Sequence, residues 1–316
     1  MEGLPYFDGE RLRGELDLAM LVEDMRTGHR EPAPEMERVY LTEPGTDNGY
    51  LVWHAWAPKS MIVTKMGTIF PANPDRTPPL PSVQCVITVF DGSTGAPTAL
   101  IDGTELTYWK TAADSALGAD YLARRDARTL LMVGAGGLAP YLAMGHRAVR
   151  PSIERVLVWN RSPARAEAMA ANPMLGPSVT IIDDLDSAVA EADIISCATA
   201  ATTPLIRGAL LRSGAHLDLV GGYTPEMRES DDDCARRARL FVDSARFNID
   251  ACGDLFQPIA AGLRSRADVE ADLFGLCRGD HPGRESADEV TLFKSGGGAH
   301  LDLMASRHVI TRLAAA

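Results

Sequence analysis

The sequence is poor in cysteine and has no metal-binding spacing of cysteine and histidine. Its 316 residues include five cysteines, an odd and scattered set, and seven histidines. Neither C-x-x-C nor H-E-x-x-H occurs, so the pattern indicates neither a disulfide framework nor a zinc site. We therefore expect reduced, buried thiols, a cytoplasmic protein and no bound metal.

Long hydrophobic runs and an excess of positive charge are also missing. No run of about eighteen apolar residues occurs, so we expect no membrane span. The first residues, MEGLPYFDGERLRGELD, are acidic and lack an apolar core, so we expect no signal peptide. A net charge of −12 argues against a nucleic-acid partner, because nothing would neutralise phosphates along a groove. A hydrophobic fraction of 46% is typical of a globular enzyme, here of about two domains.

The most informative stretch has the order strand, glycine-rich turn, helix, strand. An apolar run at 129–133 leads into a G-x-G-x-x-A turn, and a second apolar run lies at 156–159. Gly134 permits the tight turn, Gly136 lets a pyrophosphate approach the backbone, and Ala139 lets the helix pack closely on the strand. The pattern predicts a Rossmann βαβ unit, the alternative being a glycine-rich turn of another α/β domain. The candidate phosphate contacts are Gly134, Ala135, Gly136, Gly137, Leu138 and Ala139.

The residues after the second strand bear on the choice of cofactor. Sites for NAD usually carry an acid there, which would repel a 2′-phosphate. This chain has Asn160, Arg161 and Ser162, with Arg165 following. Arg161 can pair with a 2′-phosphate, and the other two can donate hydrogen bonds to it. We therefore favour NADPH over NADH; the alternative is that Arg161 is a solvated surface residue and both cofactors work.

The part before this unit is mainly β. Apolar spacing predicts one helix over 7–26, and residues 27–49 are expected to form a loop leading into an edge strand. Turn signals separate the strand-like runs, and a proline-rich crossing loop is expected at 70–81. The predicted strands are 50–56, 60–66, 83–90 and 99–101.

Two lysines of this part are candidates for binding an anion. Lys65 lies inside an apolar strand, where a lysine is costly unless it is paired or points into a wet pocket. It either binds a carboxylate or guards an edge strand against aggregation. A helix of small residues is predicted over 105–119, with Lys110 and Thr111 near its start, where anions are favoured.

The second half of the chain continues the α/β pattern. Ligands of such sheets bind at the carboxyl ends of the strands, so Thr199, Gly221, Gly222 and Tyr223 should line a crevice. Three glycines after Lys294 indicate a close approach of the backbone to cofactor or substrate, or a hinge. A tail helix at 300–313 is expected to pack back on the first domain. The predicted strands are 179–182, 193–199, 216–222, 240–243 and 290–293, with a helix at 186–192.

Taken together, these motifs resemble the ornithine cyclodeaminase/mu-crystallin family over nearly the whole chain. The resemblance implies a homodimer whose N-terminal β domain, completed by the C-terminal helix, forms the interface. It also implies an active site between that domain and the Rossmann domain. We place the substrate and dimerisation domain at 1–117 with 298–316, and the Rossmann domain at 118–297. The matching stretches are 64–66, 81–84, 101–103, 110–116, 134–136, 158–161, 216–221 and 291–295.

The family contains cyclodeaminases, alanine dehydrogenases and reductases of cyclic imines, so the resemblance alone leaves the reaction open. It implies that Lys65 binds the substrate carboxylate with help from Lys110. The family usually has arginine at position 110, and lysine lacks the bidentate fork. Cyclodeaminases carry an aspartate where this chain has Tyr223, which cannot neutralise the ammonium of ornithine. The imine-reductase branch also lacks that aspartate.

The sequence therefore predicts an NAD(P)H-dependent reductase that converts a small cyclic 2-imino acid to L-proline or L-pipecolate. The rivals are an ornithine cyclodeaminase, an open-chain amino-acid dehydrogenase and a non-catalytic NADPH-binding protein. The candidate substrate-site residues are Lys65, Lys110, Tyr223 and Thr224. Besides the six turn residues, the candidate cofactor contacts are Thr111, Asn160, Arg161, Ser162, Arg165, Ala198, Thr199, Val220, Gly221 and Lys294.

Overall fold

The computed structural model describes residues 3–78, 80–176 and 178–313, and the chain forms two compact units. The first unit contains Met1–Lys110 and Gly298–Ala316, and the second contains Thr111–Gly297. The boundary predicted from the sequence lies after residue 117, further along the same helix. The two-part α/β architecture that the sequence predicts is confirmed.

Five strands follow one another in the first unit, and strands and helices mostly alternate in the second. The strands are β1 (Tyr6–Phe7), β2 (Glu35–Thr42), β3 (Gly49–Ala57), β4 (Met61–Ile69), β5 (Val83–Asp91), β6 (Pro97–Asp102), β7 (Thr129–Val133), β8 (Arg155–Trp159), β9 (Val179–Ile181), β10 (Ile194–Cys197), β11 (His216–Leu219), β12 (Ala238–Val242), β13 (Val269–Asp272) and β14 (Val290–Lys294). The helices are α1 (Gly9–Glu15), α2 (Leu18–Arg30), α3 (Gly103–Leu122), α4 (Ala139–Val149), α5 (Pro163–Ala170), α6 (Leu185–Glu191), α7 (Asp232–Arg237), α8 (Ala245–Asn248), α9 (Gly253–Ala260), α10 (Leu273–Arg278) and α11 (Ala299–Leu313).

The single helix expected over 7–26 is wrong, because two helices occupy this region. Leu16 is extended, with ψ 144°, and ends α1. Asp17 then caps α2 by accepting a hydrogen bond from the backbone N–H of Met20 at 2.8 Å. Apolar spacing continues across the break, so periodicity alone does not reveal it.

The first unit is built on a six-stranded sheet in the order β1-β6-β5-β4-β3-β2. The strands are antiparallel apart from the β1–β6 pair. The expected loop at 27–49 is wrong in part, because α2 continues to Arg30 and β2 forms the edge of the sheet. Lys65 lies on β4, opposite Trp53 of β3 and Ile87 of β5. It therefore occupies an interior strand, and its interpretation as an edge-strand guard is wrong.

The C-terminal helix belongs to the first unit. Helix α11 packs on β3, β4 and α2, as the sequence predicts. Its buried side chains include Leu301, Leu303 and Val309, together with the acid Asp302. This helix therefore brings a carboxylate to the covered face of the six-stranded sheet.

The second unit is a Rossmann-type sheet of eight parallel strands. Their order is β13-β12-β14-β11-β10-β7-β8-β9. Strand β7 lies between β10 and β8 and is buried along its whole length. The core gathers apolar side chains from several strands, for example Leu131, Ile195, Leu217 and Leu292. The sequence predicts this strand set apart from β13, which is short and half-buried.

Helix α3 connects the units and is rich in small residues. Its second half packs closely inside the second unit, where a Cβ on Gly145 would lie 2.8 Å from the carbonyl oxygen of Ala112. A Cβ on Gly118 would lie 2.8 Å from the Phe293 ring. None of the helices in the described part of the chain is long and apolar enough to cross a membrane.

Candidate active site

The turn after β7 is shaped by two glycines with different surroundings. Gly134 has φ 106°, and a Cβ there would lie 2.5 Å from the carbonyl oxygen of Ala198. Its N–H donates to the carbonyl oxygen of Trp159 at 2.9 Å. Gly136 is exposed, and a Cβ there would have no atom of the described residues within 4 Å. Gly134 is thus required by the fold, whereas Gly136 leaves open space beside the backbone.

Helix α4 begins directly after this turn and has no side-chain cap. Leu138 is its N-cap residue and contributes no capping hydrogen bond, and a proline follows in the first turn. The first N–H groups of a helix have no partner within the helix and carry its positive dipole end. This helix start can therefore bind an anion, as the phosphate-binding prediction requires.

The end of β8 differs in detail from the expectation. The side chain of Asn160 accepts a hydrogen bond from the N–H of Ala135 at 3.1 Å and donates one to the carbonyl oxygen of Ser162 at 2.9 Å. Asn160 thus holds the glycine turn and the end of β8 together. Arg161 and Arg165 are exposed beside it, where their charges are accessible to an anion.

The ends of β10 and β11 lie against the same turn. Ala198 approaches Gly134, and the N–H of Val220 donates to the carbonyl oxygen of Cys197 at 2.8 Å. Gly221 is buried against Thr199, so closely that a Cβ there would overlap its carbonyl oxygen. The structure therefore brings together the predicted cofactor residues of three neighbouring strands.

The predicted cofactor contact Lys294 is buried within the second unit. Its side chain is fully buried, and its ammonium donates to the carbonyl oxygens of Leu219, at 3.0 Å, and Gly221. Lys294 thus acts on the backbone of the turn after β11. Two buried acids, Glu229 and Asp254, lie near it.

The candidate substrate-binding lysine, Lys65, is paired with an acid from the C-terminal helix. Lys65 is only 8% exposed, and its ammonium lies 3.0 and 2.8 Å from the two carboxylate oxygens of Asp302. The residues are 237 positions apart in the sequence. A lysine ammonium has three hydrogen-bond donors, so this pair leaves donor capacity for a second carboxylate.

Lys110 is also buried in the first unit, 4% exposed. Burial lowers the pKa of His300 well below its usual value, and the charges of His29 and Lys110 lower it further. The pKa of Cys85 is raised by burial, and Lys65 and Lys110 both act on it in the opposite direction. The two predicted carboxylate-binding lysines therefore both lie near Cys85. Thr111, the next residue, belongs to the second unit and is half-buried.

Tyr223 and Thr224 lie on the segment that follows β11. Tyr223 is 48% exposed. The carbonyl oxygen of Thr224 accepts hydrogen bonds from the N–H groups of Met227, at 3.2 Å, and Gly253, at 3.1 Å. The backbone around Thr224 is therefore held in place, while the Tyr223 ring can meet a ligand.

Three buried acids of the two units were not predicted from the sequence. Asp302 is the ion-pair partner of Lys65, and Glu229 and Asp254 lie near the turns after β10 and β11. An acid within an apolar helical stripe is a usable signal for Asp302. Glu229 follows a loop with no periodicity, so no comparable signal points to it.

Comparisons with known proteins show which family the chain resembles. The model of the ornithine cyclodeaminase/mu-crystallin family matches residues 19–316. The Δ1-pyrroline-2-carboxylate reductase of Paracoccus denitrificans is 42% identical over 298 residues, 94% of this chain and 93% of that protein. The reductase of the same name from Colwellia psychrerythraea is 39% identical over 318 residues, 98% of this chain and 100% of that protein.

A solved structure shows the same architecture. The Thermococcus litoralis Δ1-pyrroline-2-carboxylate reductase, in complex with NADH and L-proline, has a TM-score of 0.93 to this chain at 28% identity. The match covers 98% of both chains. The resemblance drawn from the sequence motifs is thus confirmed. The chain belongs to the ornithine cyclodeaminase/mu-crystallin family.

Proposed function

We propose that the protein reduces a small cyclic 2-imino acid with NAD(P)H. The substrate is Δ1-pyrroline-2-carboxylate or Δ1-piperideine-2-carboxylate, and the product is L-proline or L-pipecolate. The observation that carries this proposal is the near full-length similarity to reductases of that name, one of them solved with NADH and L-proline. The buried lysines and the glycine turn are the groups that such a reaction needs.

The second unit has the features of a dinucleotide site. The open space at Gly136 and the uncapped start of α4 fit a pyrophosphate, because both present backbone N–H groups without an intervening side chain. When bound, NAD(P)H supplies the hydride. The turns at Thr199 and Gly221 would hold the rest of the cofactor in a fixed position.

The first unit supplies charge for the substrate carboxylate. Lys65 and Lys110 are buried cations. Little water therefore has to be removed from their ammonium groups when an anion binds. A protonated cyclic imine is already electrophilic, so positioning and electrostatics provide most of the catalysis. Tyr223 and Thr224 would shape the space around the ring.

We propose a preference for NADPH, supported by the exposed Arg161 and Arg165 after β8. A guanidinium group can pair with the 2′-phosphate that distinguishes NADPH from NADH. NADH remains a substrate in this proposal, since the remaining contacts are shared by both cofactors.

The assembly is proposed to be a homodimer in the cytoplasm. Large apolar side chains are exposed on the first unit, among them Tyr40, Leu41 and Trp56. Burying them against a second copy would stabilise the pair. Light scattering of the purified protein tests the dimer directly, and a monomer at assay concentrations would contradict it.

The rival reactions are separated by their substrates. A cyclodeaminase needs a base at the position of Tyr223, which a tyrosine does not supply at neutral pH. An open-chain amino-acid dehydrogenase requires free ammonia. A non-catalytic member would show a thermal shift with NADPH but no turnover.

One assay separates the reductase from the cyclodeaminase. NADPH and NADH oxidation is followed with Δ1-pyrroline-2-carboxylate, beside a reaction with ornithine and no added reductant. We expect oxidation with the imine and no proline from ornithine. Proline and ammonia from ornithine would overturn the proposal and show that Tyr223 does not prevent deamination.

A further inference from the structure

The turns after β10 and β11 share one buried carboxyl group, that of Glu229. Its Oε1 accepts hydrogen bonds from the N–H and the hydroxyl of Thr199, at 2.7 and 2.8 Å. A Cβ on Gly221 would overlap both the Thr199 carbonyl oxygen and Glu229 Oε1. Glu229 therefore touches both turns, and any movement of its carboxyl group affects both.

A second buried acid holds Glu229 in place. Asp254, on α9, accepts three hydrogen bonds at one oxygen, from the N–H groups of Glu229 and Ser230 and the hydroxyl of Ser230, all at 2.9 Å. Gly222 has φ 56°, and a Cβ there would lie 2.5 Å from the other oxygen of Asp254. Asp254 thus fixes the backbone that carries Glu229 and also packs against the turn after β11.

Lys294 supplies a positive charge to this cluster. It is fully buried and donates to the carbonyl oxygens of Leu219 and Gly221. Burial alone would lower its pKa, but the acidic groups around it raise the pKa above the usual value. Lys294 is therefore charged at neutral pH. The acidic groups that face it are Cys252, Asp254, Glu229 and Asp243.

We propose that Glu229 is a positioning residue for the dinucleotide site, and that its charge sets the geometry of the Thr199 and Gly221 turns. The inference rests on the proposed function, which places a cofactor against these turns. An ionised carboxylate accepts charge-assisted hydrogen bonds, which are about twice as strong as neutral ones. Protonation of Glu229 therefore weakens the two hydrogen bonds that it accepts from Thr199, without removing any side chain.

The surroundings of Glu229 allow this charge to change under ordinary assay conditions. Burial raises the pKa of Glu229 to about 7. The charge of Lys294 lowers this pKa, and the charge of Asp254 raises it. Its other oxygen, Oε2, accepts no hydrogen bond from N–H or O–H groups of the described residues. The groups that face Glu229 are Lys294 on β14, Asp254 on α9, and Cys197 and Thr199 at the end of β10.

The test compares wild type with Glu229→Gln. NADH dissociation constants are measured by fluorescence between about pH 6 and about pH 8.5, which brackets the titration. Binding of the cofactor alone is the readout, because the imine substrate has its own titration. We expect wild type to bind NADH on the order of tenfold more weakly at the acid end, since a difference of about 1.4 kcal/mol is tenfold. The variant should bind weakly at every pH, and in turnover its KM for NADH should change more than its kcat.

Glu289→Gln is the matched control. Although burial opposes it, hydrogen bonds from Arg239 and the Glu285 backbone lower the pKa of Glu289. Glu289 is therefore ionised across the whole pH range of the experiment. Glu289→Gln makes the same chemical change as Glu229→Gln, in the same unit. Its NADH binding should follow the wild-type pH profile.

Retention of the wild-type pH profile by folded Glu229→Gln would overturn the inference. If that variant fails to fold, Thr199→Val replaces it, since it removes one of the two bonds and leaves Glu229 titratable. Its NADH binding should weaken mainly at the alkaline end, and unchanged binding would overturn the inference.

NADH binding that depends on Glu229, without turnover of the imine, would support the inference while refuting the proposed reaction. No binding of NADH or NADPH at any pH would overturn both.

Discussion

The two units present their binding groups by different means. In the second unit, the groups expected to meet a cofactor are backbone atoms at Gly134, Gly136 and the start of α4. In the first unit, the groups expected to meet a substrate are the ammonium groups of Lys65 and Lys110. A backbone site is sensitive to any added Cβ, whereas a side-chain site depends on whichever partner holds the charge in place. The difference predicts which substitutions impair binding and which impair folding.

The largest effect is expected on the side-chain site. Lys65→Ala removes the cation and leaves Asp302 buried without its partner. We expect kcat/KM for the imine to fall by about 100-fold or more, mainly through KM, since a buried charged contact is worth about 2–5 kcal/mol. Loss of the partner should also destabilise the fold by about 3–5 kcal/mol. Steady-state kinetics and urea unfolding measure the two effects.

Asp302→Asn is the matched variant, because it keeps the Lys65 ammonium. Its KM for the imine should change far less than that of Lys65→Ala. NADH binding should be unchanged in both, since the cofactor groups belong to the second unit. Unaltered kinetics in Lys65→Ala would mean that the substrate carboxylate is held elsewhere.

The backbone site should separate folding from binding at two neighbouring positions. Gly134→Ala places a Cβ at a positive φ and 2.5 Å from the Ala198 carbonyl oxygen. We expect it to cost about 2 kcal/mol or more of unfolding free energy. Gly136→Ala meets no atom within 4 Å, so it should fold normally and bind NADH about tenfold more weakly.

Thermal unfolding and NADH titration of the two alanine variants give the comparison. Equal stability losses at both positions would contradict the distinction between them. Normal cofactor binding by Gly136→Ala would show that no phosphate approaches this position.

A fall in stability between about pH 4 and about pH 7 should depend on Glu229 and not on Glu289. The pKa of Glu229 is about 7 in the folded chain and about 4.3 in the unfolded chain. Between these values the folded state binds more protons, so stability falls as pH rises, by about 4 kcal/mol in all. Glu229→Gln should remove this part of the slope, and Glu289→Gln should retain it. Urea unfolding at several pH values measures the difference, and identical slopes in wild type and Glu229→Gln would contradict it.

The smallest effect is expected from the arginines at the end of β8. Arg161→Ala should raise KM for NADPH by about fivefold and leave KM for NADH nearly unchanged, because an exposed ion pair contributes about 1 kcal/mol or less. The difference should shrink in high salt. Equal effects on both cofactors would exclude a contact with the 2′-phosphate, and Arg165→Ala provides the parallel measurement.

Sequence patterns predicted most of the second unit, because its signals are local. The apolar run of β7 and the G-x-G-x-x-A turn lie next to one another, so their order alone indicates the βαβ unit. The helix break at Asp17 was missed because a cap depends on one side chain rather than on periodicity. Strand β2 was missed because most of its side chains are exposed.

The sequence by itself determined the Rossmann unit, its glycine-rich turn and the two candidate lysines, because each is encoded in a short stretch of chain. Only the tertiary structure decided that Lys65 lies on an interior strand, and that Asp302, 237 residues away, is its partner. It likewise joined Glu229, Asp254 and Lys294 around the turns at Thr199 and Gly221. The physical reason is that the charge state and the position of a buried ionisable group depend on all its neighbours in space. These neighbours come from distant parts of the chain.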